Sequence, residues 1–556
     1  MKKLFFLSLL LIFGSEAFSQ HDFYNNANYQ FTRADTLRGM LRPERTCFDV
    51  TFYDLNIKID PEERSINGFV EMIYNIEEDF STLQVDLYEN MDILKITHDG
   101  QFLKYDREYN AVFVHFPEVQ KKGGAGKIRI YYQGKPQVAV SPPWDGGFVW
   151  STDRNLKPWI GVACEGDGAS LWWPNKDHLS DEPDSMGINI TIPAGLTCVS
   201  NGNLRAIVDK GDSQTFQWFV SYPINNYNVT LNIADYTHFS EKYISFDGEE
   251  LDLDYYVLRY NLEKAQKHFK QVHQVLAAYE RFFGKYPFWD DGFGMVETPY
   301  LGMEHQGAIA YGNQFKRGYL GGMIPRDMDW DYIIVHEIAH EYFGNSISCN
   351  DLCEMWIHES FATYMEGLYV EYIHSYEDAV RYMRTKNFFL GNREPIIGPK
   401  GVNWENWEYS DHYGKGALVL HTLRHAINDD VQWFKLLRVF YQKYAISNIT
   451  TEDFVNYVND FTGEDYSAFF DQYLEHPALP ELRYKIKEEG KNLVVEYKWY
   501  ADVKDFNMPI KLGNPENYVM VRPNTQKWQK VELKKLSRKE FDIATELFLI
   551  ETKKMR

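Results

Sequence analysis

The spacing of apolar residues changes period twice along this chain, and those two changes set its architecture. Over 47–239 apolar residues alternate with polar ones: Tyr53, Leu55, Ile57 and Ile59, then Val70, Met72, Tyr74 and Ile76, then Leu83, Val85 and Leu87, then Ile128, Ile130 and Tyr132. Side chains two apart share one face of a strand, so the stretch predicts half-buried antiparallel strands, parted at turns such as Asp99-Gly100 and Gly123-Gly124. Beyond Leu251 the period lengthens: Ala265, Phe269, Val272, Leu276 and Tyr279 recur at helical spacing until Gly284 and Pro287. Helical patterns follow, with one strand-like insertion over 292–311. From Pro480 alternation returns in Leu482, Tyr484 and Ile486, in Val495, Tyr497 and Trp499, and in Val519 and Val521. The expected organisation is a multidomain α+β chain. An N-terminal antiparallel β domain covers 20–245, a mostly helical domain 246–478 and a small C-terminal β-sandwich 479–556.

A length of 556 residues suits about three or four domains, and 16% aromatic residues exclude wholesale disorder. With 58 Lys+Arg against 80 Asp+Glu the net charge is −22, which argues against nucleic acid as a partner. Residues 1–19 differ from the rest: Lys2 and Lys3 precede an apolar run over 4–13, and Ala17-Phe18-Ser19 offers small residues for cleavage. The run is too short to span a bilayer and no cysteine sits at the cleavage point. The expectation is a removed signal peptide, no membrane anchor, and a periplasmic or secreted protein. Five cysteines are no disulfide framework; Cys349 and Cys353 either pair or remain free and buried. The aromatics Trp172, Trp173, Trp404 and Trp407 either line a substrate channel or pack as core.

The chemistry concentrates in His336-Glu337-Ile338-Ala339-His340. Trp330, Ile334 and Ile338 are spaced by four and Gly344 offers a stop, so the segment predicts a helix with both histidines on one face. Two such imidazoles can reach one Zn²⁺, and Glu337 stands where it can take a proton from a water held there. Glu359, separated from His340 by eighteen residues, is the candidate third ligand. It lies on a second expected helix whose apolar stripe is Phe361, Met365, Leu368 and Tyr372, with Glu359 on its polar edge. One alternative is a closed, non-catalytic site completed by Cys349 and Cys353.

The pattern His-Glu-x-x-His, eighteen residues, Glu resembles the gluzincins, and more narrowly the M1 family of zinc aminopeptidases. Leu301-Gly302-Met303-Glu304-His305 resembles the family's Gly-x-Met-Glu-Asn strand, and Tyr413-Gly414-Lys415-Gly416 its Tyr-x-Lys-Gly. Cys164-Glu165 is similar to its acidic or amide site in the amino-terminal domain. The resemblance implies a β-saddle, a thermolysin-like catalytic domain and a β-sandwich. It also implies one zinc per chain on His336, His340 and Glu359, with Glu337 and Tyr413 catalytic and Glu304, Glu165, Gly302 and Met303 binding substrate. Leu301 and His305 depart from the strand pattern, and His358 and Ser360 stand where the family has Asn and Gly. Fewer than a hundred residues follow the helical region, too few for the family's large helical C-terminal domain.

The chemistry asked of these residues is peptide hydrolysis at a free amino end. Glu337 serves as general base and Tyr413 as neutral donor to the oxyanion. Glu304 and Glu165 would bind the substrate ammonium, while the backbone of 302–306 pairs with the peptide as an added strand. Peptides with a free N-terminus are the expected partners, with no obligate protein partner. The competing readings are a thermolysin-like endopeptidase, an epoxide hydrolase like one branch of the family, and a zinc-stabilised binding protein without turnover.

Overall fold

The computed structural model describes residues 31–556, so the leader expected over 1–19 lies outside the described residues. The N-terminal strands build a ten-stranded sheet around the antiparallel pair Phe48–Asp60 and Ser65–Ile76, with Leu55 opposite Val70. Tyr53, Leu55, Ile57 and Ile59 all point into its core. The sheet is not wholly antiparallel. Ser185–Pro193 runs parallel to Phe48–Asp60, with Leu55 opposite Ile188, as a long crossover allows and a hairpin does not. A four-stranded sheet lies in the same domain, and its strand Pro158–Ala163 runs directly into Cys164 and Glu165. Trp172 and Trp173 are fully buried in this core, Trp173 packing edge-on against Tyr53.

The second region opens with a five-stranded sheet: Tyr236–Ile244, Glu250–Leu258, Phe293–Glu297, Ile309–Tyr311 and, at its edge, Gly302–Met303. Its first hairpin straddles the boundary expected at 245. Tyr236–Ile244 has the same alternation as the strands before it, so period alone does not tell which sheet it joins. Among the helices of this region, those that frame the site are α1 (Gln271–Phe282), α2 (Tyr332–Tyr342), α3 (Trp356–Ile373), α4 (Tyr376–Thr385) and α5 (Asp411–Ile427). Asp331 caps α2 by accepting from the Ile333 and Ile334 amides, and it also receives the Tyr311 hydroxyl at 2.7 Å. The expected polar edge of α3 does not exist. Every residue from Trp356 to Val370 is buried, while Tyr372 is 42% exposed. A helix packed on all sides belongs at the centre of its domain, and polar residues on it survive only with partners.

At the C-terminus a four-stranded sheet containing Glu481–Glu489 and Asn492–Tyr500 faces a three-stranded sheet containing Ile510–Gly513. Their inner residues Leu482, Val495, Trp499 and Leu512 join one continuous core with α2, α3 and α5. The Leu549 amide donates to Thr422 Oγ1 on α5 at 2.9 Å, which locks the sandwich against the helices. All five cysteines are buried and free, so Cys349 and Cys353 do not pair. Among the described residues no helix is long and apolar enough to cross a membrane.

Candidate metal centre and peptide cleft

One helical turn separates His336 and His340 on α2, and both rings turn their Nε2 atoms toward the same point, 3.2 Å apart. Glu359, in the first turn of α3, brings Oε2 to 3.4 Å from each of them. Tetrahedral ligands at about 2.0–2.1 Å from zinc lie about 3.3 Å from one another, so these three separations suit three corners of one zinc site. Glu359 Oε2 is buried with no hydrogen-bond partner, as expected of an oxygen whose partner is a cation. The donor set of two imidazoles and a carboxylate therefore fits zinc. Among the described residues it is the one group of three such side chains able to hold a metal ion. Neither Cys349 nor Cys353 belongs to it, which removes the closed four-ligand site. Cys353 instead packs with Val402 and Trp404.

The second nitrogen of each ring is also engaged. His340 Nδ1 lies 3.0 Å from the Phe343 carbonyl, and His336 Nδ1 2.8 Å from Glu366 Oε1. Such outer contacts fix the tautomer and the ring plane of a metal-binding histidine. Glu366 sits two turns after Glu359 on the same helix and also accepts from the Tyr382 hydroxyl and Lys386 Nζ. Against the cost of burial, Lys386 and His336 hold its carboxyl down to about 2. The sequence reading passed over Glu366 and Lys386. A signal was available: an acid seven residues beyond the ligand returns to the same helix face.

A cavity of about 420 Å³ opens over this centre, lined by Glu165, Leu301, Gly302, Met303, Glu304, Glu337 and Tyr413 among others. The expected site residues therefore share one cleft, and Trp172, Trp173, Trp404 and Trp407 do not line it. Gly302 is required by close approach, because a Cβ there would lie 2.5 Å from Glu337 Oε1. Burial pushes the Glu337 carboxyl up to about 8, with His336 pulling it down and Glu304 pushing it further up. Burial likewise raises Glu304, and raises Glu165 further because Glu304 stands beside it. Tyr227 donates to Glu304 Oε1 at 3.3 Å, whereas Glu165 Oε1 is buried without a partner. Four carboxylates thus crowd one cleft, and cationic ligands are what would relieve them. Of the departures from the family pattern, Leu301 lines the cleft. His305 is buried outside its lining, and burial pushes its ring down to about 3.

Tyr413 stands in the first turn of α5, its ring 6.1 Å from that of His336 and inclined by 20°. Gly416, one turn on, lets α5 press against α3, for a Cβ there would lie 1.8 Å from Ser360 Oγ. Lys415 points the other way, fully buried, and donates to the His476 and Pro477 carbonyls at 3.1 and 3.0 Å. Burial pushes its ammonium down to about 8 from 10.5. Between those values the unfolded chain keeps a proton that the folded chain has released, so folding stability rises with pH there. The stability of wild type relative to Lys415→Met is expected to increase by about 2 kcal/mol from about pH 7.5 to about pH 9.5, read from urea midpoints. Using the difference between the two proteins cancels the opposing ionisation of tyrosines shared by both.

Two imidazoles from one helix and a carboxylate from the next, beside an edge strand close to a further acid, resemble the ligand arrangement of the gluzincin metallopeptidases. Residues 260–473 match the peptidase family M1 domain. A probable aminopeptidase 1 from Sulfurisphaera tokodaii is 22% identical over 78% of this chain and 54% of its own length. A leucyl aminopeptidase from Saccharolobus solfataricus is 19% identical over 86% of this chain and 58% of its own. The chain thus spans a little over half the length of these curated relatives. The fold is also that of an M1 zinc metallopeptidase from Deinococcus radiodurans, with a TM-score of 0.64 and 19% identity over 78% of this chain and 94% of that one. A mutant of that enzyme has been seen with a Tyr-Ser-Ala substrate.

Proposed function

We propose that this protein is an exported zinc aminopeptidase that removes the first residue from peptides with a free amino end. The observation that carries the reading is the pairing of Glu304 and Glu165 in the same cleft as the three metal ligands, Glu165 Oε1 buried with no partner in the protein. A peptide's α-amino group is largely cationic near neutral pH and satisfies both acids by charge-assisted hydrogen bonds. Their fixed distance from the metal ligands measures one residue from the chain end. A blocked terminus leaves them buried and unpaired, which penalises internal cleavage. Among the described residues the edge strand Gly302–Met303 pairs with Ile309–Tyr311 on one side, which leaves its other side for a substrate backbone.

His336, His340 and Glu359 would hold zinc, which would supply Lewis acidity toward the scissile carbonyl and lower the pKa of a water there. Glu337, on the cleft wall, accepts the water's proton and returns it to the departing nitrogen. Tyr413 donates its hydroxyl proton in a hydrogen bond to the carbonyl oxygen as that oxygen gains charge. Burial and the neighbouring Glu359 raise the Tyr413 hydroxyl well above its ordinary range, so it remains a neutral donor. Export is supported by the charged and apolar pattern of residues 1–19, and sequencing the amino end of protein recovered from the native host tests it.

The decisive experiment compares aminoacyl arylamides with their N-acetylated forms, with and without a chelator. Turnover is expected for the free forms only, to vanish on chelation and to return with Zn²⁺. Equal turnover of acetylated substrates would make the protein an endopeptidase, and retained zinc without any turnover would make it a binding protein.

A further inference from the structure

Ahead of the first strand lies a short helix, Arg33–Gly39, to which neither the sequence motifs nor the reaction assigns a task. Its far end is tied to the N-terminal β domain from three directions. Gln84 Nε2 donates to the Leu37 carbonyl at 3.0 Å and Arg45 Nη1 to the Arg38 carbonyl at 2.7 Å, while His178 Nε2 lies 3.1 Å from the Gly39 carbonyl. The other side of the helix presses on the loop that precedes α5. A Cβ on Gly39 would lie 2.2 Å from the Asn403 nitrogen, so only glycine fits at this contact. The helix is therefore wedged between the two regions that together form the cleft.

Arg38 completes the wedge. One arm of its guanidinium donates to Glu405 Oε1 at 2.9 Å, and the other donates to the Gly166 carbonyl. Gly166 directly follows Glu165. It has φ +76°, and a Cβ on it would lie 2.6 Å from Glu405 Oε2. The loop is held at its next residue as well, where the Tyr88 hydroxyl donates to the Asp167 carbonyl at 3.0 Å. The two residues that follow Glu165 are thus both held, and the backbone there sets where its carboxylate enters the cleft. A flat guanidinium reaches two acceptors in a fixed fork, which a lysine ammonium does not reproduce.

We propose that Arg38 is a positioning residue for recognition of the substrate's amino group, setting the Glu165 carboxylate over the metal centre by bridging Gly166 to Glu405. The proposal rests on the aminopeptidase reading and identifies what fixes one of its two anchors. The test is steady-state kinetics of Arg38→Met and Arg38→Lys on free and acetylated arylamides, with zinc content and Tm measured alongside. In Arg38→Met, KM for free substrates is expected to rise about tenfold, the weight of one charge-assisted hydrogen bond, with kcat within about twofold of wild type. Zinc content stays full, selectivity against acetylated substrates shrinks, and Arg38→Lys recovers part of the loss. Glu405→Gln, which loosens the same bridge from the other side, moves KM in the same direction. An unchanged KM in Arg38→Met, or a fall in kcat that tracks zinc loss or a lowered Tm in both variants, overturns the proposal. Wild type that cleaves acetylated substrates equally well overturns the aminopeptidase reading instead, before any variant is made.

Discussion

Glu337→Gln is expected to keep its zinc and its fold while kcat falls by about 10²–10⁴, the range typical of a lost general acid–base group. The substitution keeps the shape of the side chain that packs on Gly302, where there is no room for a Cβ. It leaves the triad of His336, His340 and Glu359 untouched, since Glu337 is not part of that group. What it removes is the ability to take a proton on one step and return it on the next. One carboxylate performs both transfers, so the loss is expected toward the upper end of the range. Zinc content by mass spectrometry and kcat on an aminoacyl arylamide read the two effects separately. A fall of less than about tenfold, or zinc lost in parallel with activity, would mean that Glu337 is not the base.

The parts of this site that were legible in the sequence are those written in local spacing. His336 and His340 share a face because a helix repeats every four residues or so, and Glu359 is placed by the length of one loop and one turn. The strand cores were legible in the same way, Tyr53 to Ile59 being a run of period two. Spacing did not show which strands become neighbours: Leu55 faces Ile188 across a parallel pair, and Tyr236–Ile244 joins the sheet of the second region. It also mistook α3 for a half-exposed helix with Glu359 on its polar edge, whereas Glu359, Thr363 and Glu366 are all buried. They are turned toward the cleft and the ligands. The supporting contacts were least visible of all. Lys386 reaches Glu366 across twenty residues of sequence and Arg38 reaches Glu405 across 367, and no period or motif encodes a pairing of that kind.

Tyr413→Phe is expected to lower kcat by about 10²–10³ with little change in KM, the cost of removing one oxyanion donor. Phenylalanine preserves the ring that lies against His336, and the neighbouring anchors persist. Gly416 still seats α5 on α3, and Lys415 still holds the His476 and Pro477 carbonyls. Only the hydroxyl goes. A neutral donor suits this cleft, since an arginine or lysine in its place would pair with Glu359 or Glu304 at rest and stay bound there as charge developed on the substrate. The tyrosine hydroxyl is free of that competition as a charge and, buried beside Glu359, does not ionise at working pH. Combining Tyr413→Phe with Glu337→Gln should cost much less than the product of the two single losses, because both groups act on the same transition state. A single-variant loss below about threefold, or a KM that rises as much as kcat falls, would assign Tyr413 to substrate binding and leave the oxyanion to another donor.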